Sequence, residues 1–248
     1  MNDTTRTAIV VGASSGLGRA LAEALACEHY ALVLIASDIR DLDALASNLN
    51  VEHGIAVRAL ALDLAREPDP GARIAGALSG LPPLTALLLP IGFSREDDDL
   101  SLDAAAIGQL LATNLHAPLA IVHALLPALL EAHGTIVLVG SVSAVRGRRR
   151  NVVYAAAKRA LVSLYESLRQ RFHPAELGVQ LYQLGFMETN LTHGAKLPLP
   201  VARPADVART IVRRLGRGSS SRYLPAWWAL VAIIVRCLPW AIYRRMKD

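Results

Sequence analysis

The sequence predicts an α/β protein: a single doubly wound parallel sheet with helices on both faces, followed by an apolar helical tail. Three observations carry that reading. Short apolar runs at 7–11, 31–35, 57–62, 84–89, 135–139 and 179–184 alternate with segments of helical spacing. The first run passes through a glycine-rich turn, Gly12-Ala13-Ser14-Ser15-Gly16-Leu17-Gly18, directly into a helix. Gly12, Ser141 and Thr189 each fall just beyond the end of a run, where a doubly wound sheet gathers its ligand-binding residues.

The bulk numbers fit one domain with a full core: 248 residues, 53% of them apolar, with glycine and proline dispersed. A disordered chain is excluded by that composition. Cys27 and Cys237 are the two cysteines, which gives neither a disulfide framework nor a metal site and suits a reducing cytosol. The polar stretch 1–6 runs straight into the first strand, so no signal peptide is expected. A net charge of +5 is compatible with nucleic acid, an anionic membrane surface or an acidic ligand. Nucleic acid is disfavoured, because the basic residues gather in two places without interleaved stacking aromatics. Residues 1–222 are expected to form the dinucleotide-binding domain and 223–248 a separate apolar segment.

The first half of the chain reads as a Rossmann-type dinucleotide cradle. Backbone N–H groups at a helix N-terminus bind a pyrophosphate, and glycines let the backbone come close. Gly12, Ser14, Ser15, Gly16, Leu17 and Gly18 are the candidates here, at the spacing G-x-x-x-G-x-G. Asp38, two residues past Ala36, is a candidate for the adenosine ribose, or equally the cap of the following helix. Since Arg40 follows it, the choice between NAD and NADP stays open. Asp63 ends the third strand where an adenine edge would lie, and Gly92 closes the turn after the fourth. Glu96 to Asp99 reads as solvated surface. A long helical region, 103–133, is interrupted near Pro118 and Pro127; within it Asn114 either ties up a kink or holds a functional water. After the sixth strand, Gly185 and Thr189 complete the cofactor candidates.

The chemistry is concentrated between Ser141 and Lys158. Tyr154 and Lys158 are four residues apart and share one helix face. An ammonium beside a phenol favours the phenolate, and a hydroxyl at Ser141 can hold a substrate oxygen against it. Together with the glycine turn, the Ser141-to-Tyr154 step and Asn114, these residues resemble the short-chain dehydrogenase/reductase family over 7–214. The resemblance implies hydride transfer from a nicotinamide cofactor, with Tyr154 as general acid/base and Ser141 orienting the carbonyl. It also implies that Lys158 binds the nicotinamide ribose and Asn114 holds a proton-relay water. The chain departs from the family at Val11, at Leu89-Pro90-Ile91-Gly92 and at Leu184-Gly185, all in loops that support the cofactor.

Two features remain. Arg146, Arg148, Arg149 and Arg150 precede Tyr154, and arginine forks phosphate well, so an anionic, phosphorylated substrate is expected. From Tyr223 onward an apolar run of tryptophans and aliphatics, broken by Arg236 and Pro239 and flanked by arginines, is too short to span a bilayer. It predicts a shallow anchor on the inner face of the cell membrane, against a helix docked on the core or in a dimer. Both features resemble the branch of the family that reduces keto-sugars carried on a polyprenyl phosphate. The alternatives are a reductase of small soluble ketones or alcohols and a non-catalytic NAD(P)-binding subunit. A homo-oligomer is left open.

Overall fold

The computed structural model describes residues 5–187 and 200–246. Seven parallel strands form one sheet: β1 Thr7–Val11, β2 Ala31–Ala36, β3 Val57–Ala61, β4 Leu84–Leu89, β5 Thr135–Ser141, β6 Gly178–Leu184 and β7 Ser220–Leu224. Their order is β3-β2-β1-β4-β5-β6-β7. The order reverses between β1 and β4, and a sheet of this kind binds its ligand beyond the strand ends at that switch.

The five inner strands read as continuous apolar runs because both faces are covered. In β2, Leu32, Leu34 and Ala36 join one core and Val33 and Ile35 the other, the period-2 alternation of a strand buried on both sides. On the first face lie α1 (Gly16–Cys27), α2 (Ile39–His53) and α7 (Pro204–Val212), through Leu21, Leu25, Leu45, Leu49 and Ile211. On the second lie α3 (Pro70–Gly76), α5 (Ala117–Glu131) and α6 (Val152–Arg171), through Ile74, Ile121, Leu125, Tyr165 and Leu168.

The long helical region resolves into α4 (Ala104–Leu111), a π-helical turn (Ala112–His116) and α5. Pro118 follows the π-helical turn directly, in the first turn of α5, and Pro127 lies inside that helix. By length and composition Ala104–Glu131 could cross a membrane. It instead buries Ile121, Val122, Leu125 and Leu129 against the sheet.

One correction concerns the end of the chain. The expected boundary at 222/223 cuts through β7, which pairs with β6 from Gln180↔Ser220 to Leu184↔Leu224. A Ser-Ser-Arg-Tyr-Leu edge strand has no apolar run to announce it. Beyond β7, α8 (Trp228–Cys237) and α9 (Trp240–Tyr243) fold back on the domain.

Candidate active site

A crevice of about 770 Å3 opens across the carboxyl ends of β1, β4, β5 and β6. Its lining includes Gly12, Ser14, Ser15, Gly16, Leu17 and Gly18 at one end and Ser141, Tyr154, Lys158 and Gly185 at the other. The fold thus brings together residues that stand more than a hundred positions apart.

The glycine turn has the shape of a phosphate cradle. Gly12 (φ +93°) and Gly16 (φ +52°) adopt left-handed conformations that favour glycine. A methyl group on Gly18 would overlap the Gly12 carbonyl, so only glycine lets α1 start this close to β1. The N-terminus of α1, with no acidic side chain in its first turn, points its free N–H groups into the crevice. These residues fit a dinucleotide pyrophosphate.

The other cofactor candidates separate. Asp63 lines the crevice, accepts the backbone N–H of Ala65 at 3.0 Å and lies 3.5 Å from Arg66. Asp38 caps α2, accepting the N–H of Arg40 at 2.9 Å, and the crevice wall beside it is Ala36 and Ser37. Gly92 lines the crevice, and a Cβ there would stand 3.9 Å from the Tyr154 hydroxyl. Thr189 lies outside the described residues.

Asn114 is fully buried in the π-helical turn. Its carbonyl accepts the N–H of Phe93 (3.1 Å), and its amide donates to the carbonyls of Phe93 (2.7 Å) and Leu110 (3.0 Å). Both donors are used, so this side chain clamps the loop after β4. Gln109 and Thr113, which sequence reading passed over, face the crevice from the same helical run.

Tyr154 and Lys158 share a face of α6, but the ammonium does not sit on the phenol. Lys158 is 2% exposed and donates to the carbonyls of Ile91 and Val139. Its Nζ is 5.7 Å from the Tyr154 ring centroid. Burial pulls its pKa down to about 7. Burial also raises the Tyr154 phenol above its ordinary value, opposed by a hydrogen bond with Ser141 and by the charge of Arg148. The expected lowering by Lys158 is therefore replaced, in this state, by Ser141 and Arg148. A phenol kept protonated beside the Ser141 hydroxyl is a proton donor aimed at the same point. The Ser141 oxygen in turn accepts the N–H (3.2 Å) and hydroxyl (2.9 Å) of Ser143.

Asp98 was expected on the surface and is completely buried. Its two carboxylate oxygens accept the N–H groups of Val153 and Tyr154, each at 2.9 Å. Asn151, which precedes α6, lies in the left-handed region (φ 55°) and makes no side-chain cap. A residue 53 positions upstream of it therefore caps α6 at Tyr154 itself.

The arginines do not act as one clamp. Arg146 donates to the carbonyls of Val235 (2.9 Å) and Leu238 (2.6 Å), and Arg149 to that of Arg244 (2.9 Å). Arg150 is exposed. Arg148 keeps a buried Nε that bonds no described residue. The expectation of four substrate ligands overlooked the C-terminal carbonyls that two of them satisfy. Trp228 packs so closely under Gly185 that a Cβ there would overlap its indole, and it meets the Phe186 ring edge-on at 5.4 Å.

A switch-point crevice with a glycine cradle and a Ser–Tyr–Lys centre defines an NAD(P)-dependent oxidoreductase. The model of the short chain dehydrogenase family matches residues 6–198. The chain belongs to that family, the short-chain dehydrogenases/reductases. It is 29% identical to an uncharacterised oxidoreductase of Mycobacterium tuberculosis, over 99% of both chains. It is 26% identical to a ketoacyl reductase of a Nostoc species, covering 86% of this chain and 76% of that one. Among solved structures, a short-chain dehydrogenase from Sphingobium yanoikuyae in complex with NADPH superposes with a TM-score of 0.81, at 26% identity over 98% of this chain and 97% of that one.

Proposed function

We propose that this oxidoreductase reduces the keto group of a phosphorylated, lipid-linked sugar at the inner face of the cell membrane. The bound nicotinamide supplies the hydride. Tyr154 donates the proton to the carbonyl oxygen, Ser141 orients that oxygen, and Asp98 holds Tyr154 in place through its backbone. Arg148, with a buried Nε that bonds no described residue and its charge felt at the phenol, is the arginine suited to the substrate's anionic group.

The observation that carries the reading is the outer face of α8 and α9. Leu230, Ile233 and Ile234 are 62%, 60% and 52% exposed, and Trp240 and Ile242 are 65% and 54% exposed. Residues 207–246 hold eight arginines and no acidic residue. An apolar face set in an excess of positive charge fits the interface of an anionic bilayer, and its ten-residue helix is too short to cross one. This agrees with the likeness of the arginine stretch and tail to decaprenylphosphoryl-2-keto-ribose reductase, an enzyme of cell-envelope assembly.

The test is cofactor oxidation in detergent with a polyprenyl-phosphate keto-sugar and with the same keto-sugar lacking lipid and phosphate. The lipid phosphate is expected to be the better substrate, and Arg148→Ala should raise its KM while sparing the neutral sugar. Equal efficiency with both substrates contradicts the proposal and favours a small soluble ketone. Membrane attachment is checked by co-sedimentation with phosphatidylglycerol vesicles: Leu230→Lys with Ile233→Lys should abolish it.

A further inference from the structure

The stretch between Ser141 and Tyr154 has little structure of its own. After a single turn of 3-10 helix, Val142–Ala144, it runs without a ladder until α6 begins at Val152. Its conformation is set by groups that reach it from elsewhere. From α6, Arg159 donates to the carbonyls of Ala144 and Val145, both at 2.9 Å. Every other such contact to 145–150 described here comes from the C-terminal segment.

That segment grips the loop at three points. The Arg146 guanidinium bonds the Val235 and Leu238 carbonyls at the end of α8, acceptors that a helix C-terminus leaves unsatisfied and that its dipole makes favourable for a cation. The same guanidinium lies 4.1 Å from the Tyr243 ring centroid and 5.9 Å from that of Trp240. The Tyr243 hydroxyl donates to the Gly147 carbonyl at 2.7 Å, and Arg149 reaches the Arg244 carbonyl. At its other end the segment places Trp228 beneath Gly185 and Phe186, which line the crevice opposite. One piece of chain therefore touches both loops that flank the reacting centre.

We infer that Arg146 is a positioning residue for catalysis, through which the C-terminal segment holds the Ser141–Tyr154 loop in its working shape. The inference rests on the hydride-transfer reading of the site. It is independent of what the outer face of α8 contacts and of which carbonyl is reduced.

The test uses the full-length protein and three variants: Arg146→Gln, Arg146→Lys and Tyr243→Phe. Turnover is followed with NADPH and phenanthrenequinone, a neutral carbonyl that needs neither a membrane nor an anion site. NADPH affinity is read from fluorescence, and loop mobility from hydrogen–deuterium exchange. Arg146→Gln is expected to lower kcat by about 10- to 100-fold, the effect of a small misplacement of reacting groups, with cofactor affinity within about twofold. Exchange should rise in 142–151 together with 238–246. Arg146→Lys, which keeps the charge but loses the planar guanidinium over the Tyr243 ring, should recover part of both. A rise confined to 238–246 with unchanged kcat would overturn the inference and leave Arg146 as a fastener for the tail alone. Should Arg146→Gln fail to fold, Tyr243→Phe removes one hydroxyl only; it should raise exchange around Gly147 and lower kcat, and no change in either overturns the inference. Absence of wild-type turnover with any carbonyl would count against the hydride-transfer reading instead, while the exchange data still report on the coupling.

Discussion

The Asp98 carboxylate accepts the backbone N–H of Tyr154 at 2.9 Å, so Tyr154 is fixed from a loop that precedes it by 56 residues. Bonds from N–H groups to an ionised acceptor are the stronger kind, and here both carboxylate oxygens are engaged in a buried site. Asp98→Ala should cost about 2 kcal/mol of stability, at the upper end for a lost helix cap. It should also lower kcat with little effect on cofactor affinity. Urea unfolding and steady-state kinetics check both; full stability and activity in the variant would show that the cap is dispensable.

The buried ammonium of Lys158 makes the stability of the cofactor-free protein depend on pH. Below pH about 7 the folded and unfolded states both carry the proton, and the folded state bears the cost of burying it. Between about 7 and the ordinary value of 10.5 the unfolded state alone is protonated, so this group's contribution improves as pH rises. The stability of wild type relative to Lys158→Met is therefore expected to increase from pH 7 to 10. Denaturant midpoints across that range measure it, and a flat difference would mean that Lys158 is not desolvated.

Two glycines are fixed by close approach and not by turn geometry. Gly18→Ala places a methyl group on the Gly12 carbonyl, and Gly185→Ala places one on the Trp228 indole. Gly18→Ala should abolish cofactor binding, because the turn must open before α1 can begin. Gly185→Ala should leave the pyrophosphate end intact and instead shift the tryptophan fluorescence as Trp228 is displaced. Calorimetric titration with NADPH and emission spectra separate the two outcomes.

Much of the fold was legible because the five inner strands are apolar and covered, and their alternation with helices leaves few topologies open. The seventh was hidden: at a sheet edge, Ser220 to Leu224 need only backbone pairing and one half-buried face. Ser141, Tyr154 and the glycine turn stood out by local spacing, since each lies near where its own strand or helix begins or ends, and the fold gathers them in one crevice. Asp98 was not. An acidic run looks like surface until a distant helix N-terminus is brought to it. Arg146 and Arg149 were hidden for the same reason, because they answer carbonyls some 90 residues further on. Lys158 was placed on the correct face, but its partners, the Ile91 and Val139 carbonyls, belong to the sheet and not to the helix.

The central claim is that Tyr154 delivers a proton in a hydride-transfer reaction within this crevice. The most direct measurement is NADPH oxidation by Tyr154→Phe beside wild type, with NADPH binding titrated on both. Turnover is predicted to fall by about 10²- to 10⁴-fold, the usual worth of a positioned general acid, while NADPH affinity stays close to wild type. Undiminished turnover in Tyr154→Phe would contradict the account.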